Sequence, residues 1–118
     1  MVSRLNHHAG LVAEDIVARD YARRGRPVAQ RRWRGPGGEI DLIARDGDCV
    51  VFVEVKKSSS FARAAAALGR RQMDRICASA AAFLEGEPRG QLTDVRFDLA
   101  VVDGRGAVEI IENAFGLA

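Results

Sequence analysis

Residues 38–56 read Gly38-Glu39-Ile40-Asp41-Leu42-Ile43-Ala44-Arg45-Asp46-Gly47-Asp48-Cys49-Val50-Val51-Phe52-Val53-Glu54-Val55-Lys56. Apolar and β-branched residues fill both arms, and the Asp-Gly-Asp between them is a tight-turn signal. The stretch predicts two antiparallel strands, Glu39 to Arg45 and Cys49 to Lys56, closed by a hairpin. Alternation along the second arm puts Glu54 and Lys56 on one face with Phe52 and leaves Val51, Val53 and Val55 to the core on the other. With Gly47 and Asp48 as the loop residues, Asp41 falls on the Glu54 face and directly opposite it, where opposed Cβ atoms lie about 4.5–5.5 Å apart. Two carboxylates that close repel unless a proton or a cation sits between them. Hard oxygen donors suit Mg²⁺ or Mn²⁺. Lys56, one step further on the same face, could neutralise part of the charge, position a water or stabilise a phosphoryl transition state. A solvated acid, acid, base network on an open sheet face fits the same pattern, and pattern alone does not choose between them.

Outward from the hairpin, Ala9 to Arg24 carries apolar or small residues at Val12, Ala13, Ile16, Val17 and Tyr21, the spacing of an amphipathic helix, which Gly25 and Pro27 stop. Pro27 to Trp33 reads as a short strand, and Gly35-Pro36-Gly37-Gly38 as the turn into the hairpin. Beyond Lys56, Lys57-Ser58-Ser59-Ser60 closes the strand and offers helix caps. The Ala-rich segment that follows is expected to be irregular before Gly69 and helical to about Glu85, with Met73, Ile76, Ala80 and Phe83 as its buried stripe. Val95 to Val102 and Ala107 to Ile111 read as two further strands around an Asp103-Gly104-Arg105-Gly106 turn, and a short tail runs through Phe115. The order is α, three β, α, two β: an α/β fold with a mixed sheet and helices against it.

With 118 residues, 47% of them hydrophobic and 29% charged, the chain is expected to fold as one domain, 1–118. Its 12 Gly and 3 Pro exclude collagen-like and low-complexity architectures. No apolar run approaches the ~20 residues that cross a bilayer, and the N-terminus has no signal-peptide core, so no membrane partner and a cytoplasmic location are expected. Cys49 and Cys77 form no metal-binding spacing and read as half-buried apolar residues, and His7 and His8 as a terminal pair without a role. Sixteen of the 18 bases are Arg, and residues 1–34 hold eight of them against three acids, whereas residues 85–118 hold three against seven. Arginine suits bidentate phosphate contacts. Arg31, Arg32 and Arg34 around Trp33 therefore form a candidate nucleic-acid patch, with the indole free to stack on a base; packing of Trp33 on the sheet edge is the alternative.

The two arms of the hairpin carry a resemblance that the rest of the chain extends. Gly38-Glu39-Ile40-Asp41-Leu42-Ile43 followed by Val51-Phe52-Val53-Glu54-Val55-Lys56 resembles the signature of the YraN-like family of small bacterial proteins, placed in the PD-(D/E)XK nuclease superfamily beside restriction endonucleases and Holliday-junction resolvases. Gly10 and Glu14 before Tyr21 and Gly25 resemble that family's opening helix, Arg71-Gln72 its second helix, and Arg96-Phe97-Asp98 with Asn113-Ala114-Phe115 its last strand and tail. The resemblance implies a restriction-endonuclease-like αβββαβ core and hydrolysis of structured or branched DNA. It implies that Asp41, Glu54 and the backbone carbonyl of Val55 bind Mg²⁺, joined by Glu14 from the first helix. Lys56 would assist the attacking water and Gln72 support the site, while Lys57 and Arg71 would add nucleic-acid contacts. Glu39, on the Asp41 face, could be a further ligand or only a solvated turn residue. The chain departs from the pattern at Ile40, where the motif's name has Pro, at Lys57-Ser58, and in a short Ala-rich loop from Ser58 to Gly69. Branched-DNA cleavage often uses paired sites, so a homodimer is compatible with this reading. The competing reading is a non-catalytic nucleic-acid-binding or adaptor protein that keeps the fold.

Overall fold

The hairpin is the centre of the sheet. In this computed structural model the backbone is described over residues 2–114 and side chains from residue 12 onward; His7, His8 and Gly10 among the side chains, and Phe115 in the tail, lie outside the described residues. The elements are α1 (Val2–Arg23), β1 (Val28–Gly35), β2 (Gly38–Asp46), β3 (Cys49–Lys57), α2 (Phe61–Ala66), α3 (Arg70–Leu84), a 3₁₀ turn (Gly90–Leu92), β4 (Val95–Val102) and β5 (Val108–Ile111). They form a five-stranded mixed sheet in the order β1-β2-β3-β4-β5, with β3 and β4 parallel and every other pair antiparallel. A parallel pair needs a crossover, and α2 and α3 supply it. Among the described residues no helix is long and apolar enough to cross a membrane.

Both faces of the sheet are covered. Ala13, Val17 and Tyr21 of α1 pack on Leu42, Ala44, Val51 and Val53, as the valine pattern requires. The opposite face, which carries Phe52, is equally dry, because α3 lays Ile76, Ala80 and Leu84 on Ile40, Ile43, Val50, Phe52 and Phe97. Phe52 is 1% exposed and stacks on Phe97 with ring centroids 5.3 Å apart. Burying a side chain of that size contributes about 1.5–3 kcal/mol. The Glu54 face is therefore not an open sheet face. Cys49 and Cys77 are half-buried free thiols packed against these two clusters.

Two expectations need correction. The segment before Gly69 is not irregular, since Phe61–Ala66 is a short helix. Ser60 caps it in an extended conformation, its Oγ accepting from Arg63 N at 3.3 Å, and Ala64 anchors it on Leu99 and Val101. The buried stripe of α3 is Ile76, Ser79, Ala80 and Leu84, with Met73 and Phe83 only half-buried at its margin. A serine at such a position has to find hydrogen-bond partners in the interior, and Ser79 finds them in the β1–β2 turn.

Candidate functional site

Pairing between β2 and β3 starts at Asp46↔Cys49 and runs in the expected register to Leu42↔Val53. One step short of Asp41 and Glu54 it stops. Beyond that point β2 stays with β1, pairing Ile40 with Trp33 and Gly38 with Gly35, while β3 stays with β4 as far as Lys57↔Val102. Asp41 thus does not face Glu54 across a ladder as strict alternation predicts. Its Oδ2 instead accepts the backbone N–H of Val55 at 2.8 Å. The carboxylate takes over a donor that continued pairing with β2 would have employed.

The strands part because both β1 and β2 switch faces here. Leu42 lies on the α1 side and Ile40 on the α3 side, two residues apart where alternation would keep them together. Their β1 partners do the same: Arg31 pairs with Asp15 of α1 at 2.6 Å, whereas Trp33 packs on the α3 side. Between them Arg32 adopts φ 51°, a left-handed conformation uncommon for a residue with a side chain. Asp41, between Ile40 and Leu42, consequently belongs to the gap rather than to either face.

The gap gathers the acids. Glu54 is only 7% exposed; Gln72 of α3 donates to its Oε1 at 3.1 Å, and among the described residues its Oε2 has no hydrogen-bond partner. Burial, reinforced by the charge of Asp41, pushes the Glu54 carboxyl up to about 8, while Lys56 and Gln72 act in the opposite sense. Asp41 is raised as well, chiefly by burial, against the pull of the Val55 N–H and of Lys56. Glu14 reaches in from α1: burial and then the nearness of Asp41 raise its carboxyl, while Arg32, 4.0 Å away, lowers it. Glu14, Asp41, Glu54, Lys56 and Gln72 are thereby brought to one place. Among the described residues no three acidic, His or Cys side chains converge tightly enough to hold a metal ion by themselves.

The arginine patch is arranged differently from its expectation. Arg31 is committed to Asp15, and Arg32 and Arg34 both to Glu39, at 3.4 and 3.5 Å. Glu39 is therefore a counter-ion to the patch. Trp33 is half-buried, its ring edge-on to Phe83 at 5.3 Å, so its packing is with the core. Lys57 is exposed and lines a hollow beside α1, on the opposite face of β3 from the Glu54 side, and Arg71 is exposed on α3. Sequence reasoning did not single out two nearby features. Ser79 Oγ accepts from Gly37 N at 3.0 Å and donates to the Gly38 carbonyl at 2.9 Å, fastening the β1–β2 turn to α3. Arg75 lines the same hollow as Glu54 and Gln72.

The fold and site together define an α/β protein with a mixed five-stranded sheet, in which a half-buried aspartate and a buried glutamate sit where the two central antiparallel strands separate. Residues 13–102 match the model of the "Uncharacterised protein family UPF0102". The chain is 66% identical over 115 residues to a UPF0102 protein of Cereibacter sphaeroides strain KD131, covering 98% of both chains. It is 66% identical over 111 residues to one of Ruegeria pomeroyi, covering 94% of this chain and 90% of that one. It is 48% identical over 105 residues to one of Dinoroseobacter shibae, covering 89% and 78%. The chain belongs to the UPF0102 family, the YraN-like group whose signature its hairpin carries.

Proposed function

We propose that the protein is a divalent-metal-dependent endonuclease that hydrolyses phosphodiester bonds of structured or branched DNA. The observation that carries this reading is the half-buried Asp41 beside the buried Glu54, whose Oε2 has no hydrogen-bond partner among the described residues. An unsatisfied buried carboxylate oxygen costs folding free energy, and a hard cation is the ligand that turns that cost into binding. Asp41, Glu54, the carbonyl of Val55 and Glu14 would hold it. When bound, the ion supplies neutralisation of charge on the scissile phosphate and a lowered pKa for a nearby water.

The chain's own residues do the rest. Gln72 holds Glu54 by Oε1, and Oε2 is left without a hydrogen-bond partner among the described residues. The Val55 N–H fixes Asp41 by Oδ2. Lys56, already attracted by both carboxylates, keeps an ammonium beside the site where it can orient a water and meet developing phosphoryl charge. The phosphodiester would be held by arginines. A homodimer would give a branched substrate two such sites.

The test is a cleavage screen over duplex, single-stranded, flap and four-way-junction DNA with Mg²⁺ or Mn²⁺, beside calorimetric titration of Mn²⁺. We expect divalent-dependent cleavage that falls by about a hundredfold or more in Asp41→Asn and Glu54→Gln. Lys56→Ala should keep Mn²⁺ affinity and lose rate. If the wild type binds no divalent ion at millimolar concentration with DNA present, while Glu54→Gln binds DNA more tightly, the adaptor reading replaces this one.

A further inference from the structure

Beside the acid pair lies a hollow of about 220 Å³, lined by Gly37, Gly38, Glu39, Glu54, Gln72 and Arg75. Glu54, 7% exposed, lines it, and its Oε2, itself buried from solvent, has no hydrogen-bond partner among the described residues. One wall is α3, where Gln72 and Arg75 stand one turn apart and therefore neighbour each other on the helix surface. The other wall is bare backbone. A Cβ at Gly37 would stand 2.0 Å from the carbonyl oxygen of Arg75, so only glycine allows the turn to press this close to the helix. Ser79, 1% exposed, bolts the turn down through Gly37 N and the Gly38 carbonyl. The backbone of Arg75 is thus fixed against the rim while its side chain is exposed.

Arg75, like Arg71 one turn earlier on α3, differs from the other arginines around it in its partners. Arg31, Arg32, Arg34 and Arg70 each meet an acid of this chain. Glu39, the acid in the same hollow, is engaged by Arg32 and Arg34. Among the described residues Arg75 has no ion pair. A free guanidinium, rigidly rooted at the mouth of a hollow whose floor calls for a cation, is placed for an anion that bridges the two. A phosphodiester does so: one anionic oxygen together with an ester oxygen accepts the planar fork, and the second anionic oxygen faces the end where the carboxylates would hold a cation.

We infer that Arg75 seats a backbone phosphate of the nucleic acid against the Glu54 hollow, which makes it a substrate-positioning residue of the site. The inference rests on the function proposed above. It also moves the phosphate contact from the Arg31–Arg34 patch, which is internally neutralised, to α3.

The experiment measures affinity of the full-length protein for a fluorescent four-way junction in Ca²⁺ at several salt concentrations, alongside Mn²⁺ calorimetry and cleavage. Arg75→Ala should weaken binding about tenfold and reduce the slope of log affinity against log salt by about 0.9, the loss of one phosphate contact. Its Mn²⁺ affinity should be unchanged, showing that the acid pair is undisturbed. Arg75→Lys should recover the slope and only part of the affinity, because a point charge lacks the fork. Arg105→Ala, in the exposed turn between β4 and β5, should change neither quantity. Wild-type affinity and slope in Arg75→Ala, or an equal loss of Mn²⁺ binding, would overturn the assignment. Cleavage with an unaltered slope sinks Arg75 alone, an Arg75-dependent slope without cleavage by wild type sinks the nuclease reading alone, and a wild type that binds no nucleic acid sinks both.

Discussion

Two carboxylates are buried in the central strands of this sheet, one register step apart and on opposite faces, Asp98 toward α1 and Glu54 toward α3, and they are treated in opposite ways. Asp98 of β4 is 0% exposed and fully engaged: Tyr21 Oη donates at 2.6 Å, Arg96 donates from Nε and Nη2 at 2.8 and 3.0 Å, and Asn113 N donates at 3.1 Å. Arg96 continues to Asp46, and Arg26 joins Asp46 to Glu112, so the network ties α1, the hairpin, β4 and the tail together. Burial and then the bond to Asp98 raise the Tyr21 phenol, and the bonds that Arg96 donates to Asp98 raise its guanidinium. On the other face Glu54 has one amide donor on Oε1 and, among the described residues, no hydrogen-bond partner on Oε2. A buried acid with every lone pair occupied holds a structure together, whereas one left short is a cost the fold carries for something outside it.

That contrast is broken most severely at Arg96. Replacing it by Ala strands the Asp98 carboxylate in the interior, a loss that costs about 3–5 kcal/mol when a buried pair is broken from one side. Urea unfolding at pH 7 should show it as a fall in midpoint without a change in slope. A loss below about 1 kcal/mol, the size of an exposed ion pair, would mean that the network is surface decoration and that the two acids do not differ in kind.

The hairpin, its turn and the α1 stripe were legible because each depends on local chemistry: β-branched arms, Asp-Gly-Asp, and apolar residues at helical spacing. Strand alternation and the turn fixed the register correctly as far as Leu42↔Val53. What alternation could not show is the face switch at Arg32 and Asp41, because a left-handed arginine is a tertiary demand with no sequence signature. Asp41 and Glu54 were found, but not how they meet. Helix α2 was missed since six Ala-rich residues carry too little periodicity, and its stability comes from Ala64 resting on β4. Ser79 and Arg75 were missed for a related reason. Their partners are the Gly37–Gly38 backbone and a hollow, and both exist only once α3 has docked.

At the unsatisfied acid the sign of the effect should reverse. A Glu54 carboxyl raised from its ordinary 4.5 to about 8 binds its proton more tightly folded than unfolded. The favourable contribution is therefore fully present below about pH 4.5 and is lost as pH rises toward 8. Glu54→Gln removes this titration and should stabilise the metal-free protein at pH 8 by on the order of 1–3 kcal/mol, with little gain at pH 4.5. Millimolar Mn²⁺ should raise the melting temperature of the wild type at pH 8 and leave Glu54→Gln unmoved. A Glu54→Gln protein no more stable than wild type at pH 8 would mean that Glu54 is satisfied in solution, erasing the distinction from Asp98.

The smallest effect is expected at Arg32, whose φ of 51° accompanies the switch of β1 and β2 between faces. Glycine takes that conformation without penalty, but it forfeits the half-exposed contacts to Glu39 and Glu14 and adds freedom to the unfolded chain. These terms oppose one another, so Arg32→Gly should lie within about 1 kcal/mol of wild type. Arg32→Val loses the same contacts and also meets the left-handed penalty at its worst, since a branched Cβ crowds the following carbonyl. It should fall about 1–2 kcal/mol below Arg32→Gly. Because Asp41 occupies the same kink, Arg32→Val should also weaken Mn²⁺ binding, whereas Arg32→Gly should preserve it. Thermal melts and Mn²⁺ titrations of the two variants separate backbone strain from lost charge. Equal stability and equal metal affinity in both would show that the kink is set elsewhere and that Asp41 does not depend on it.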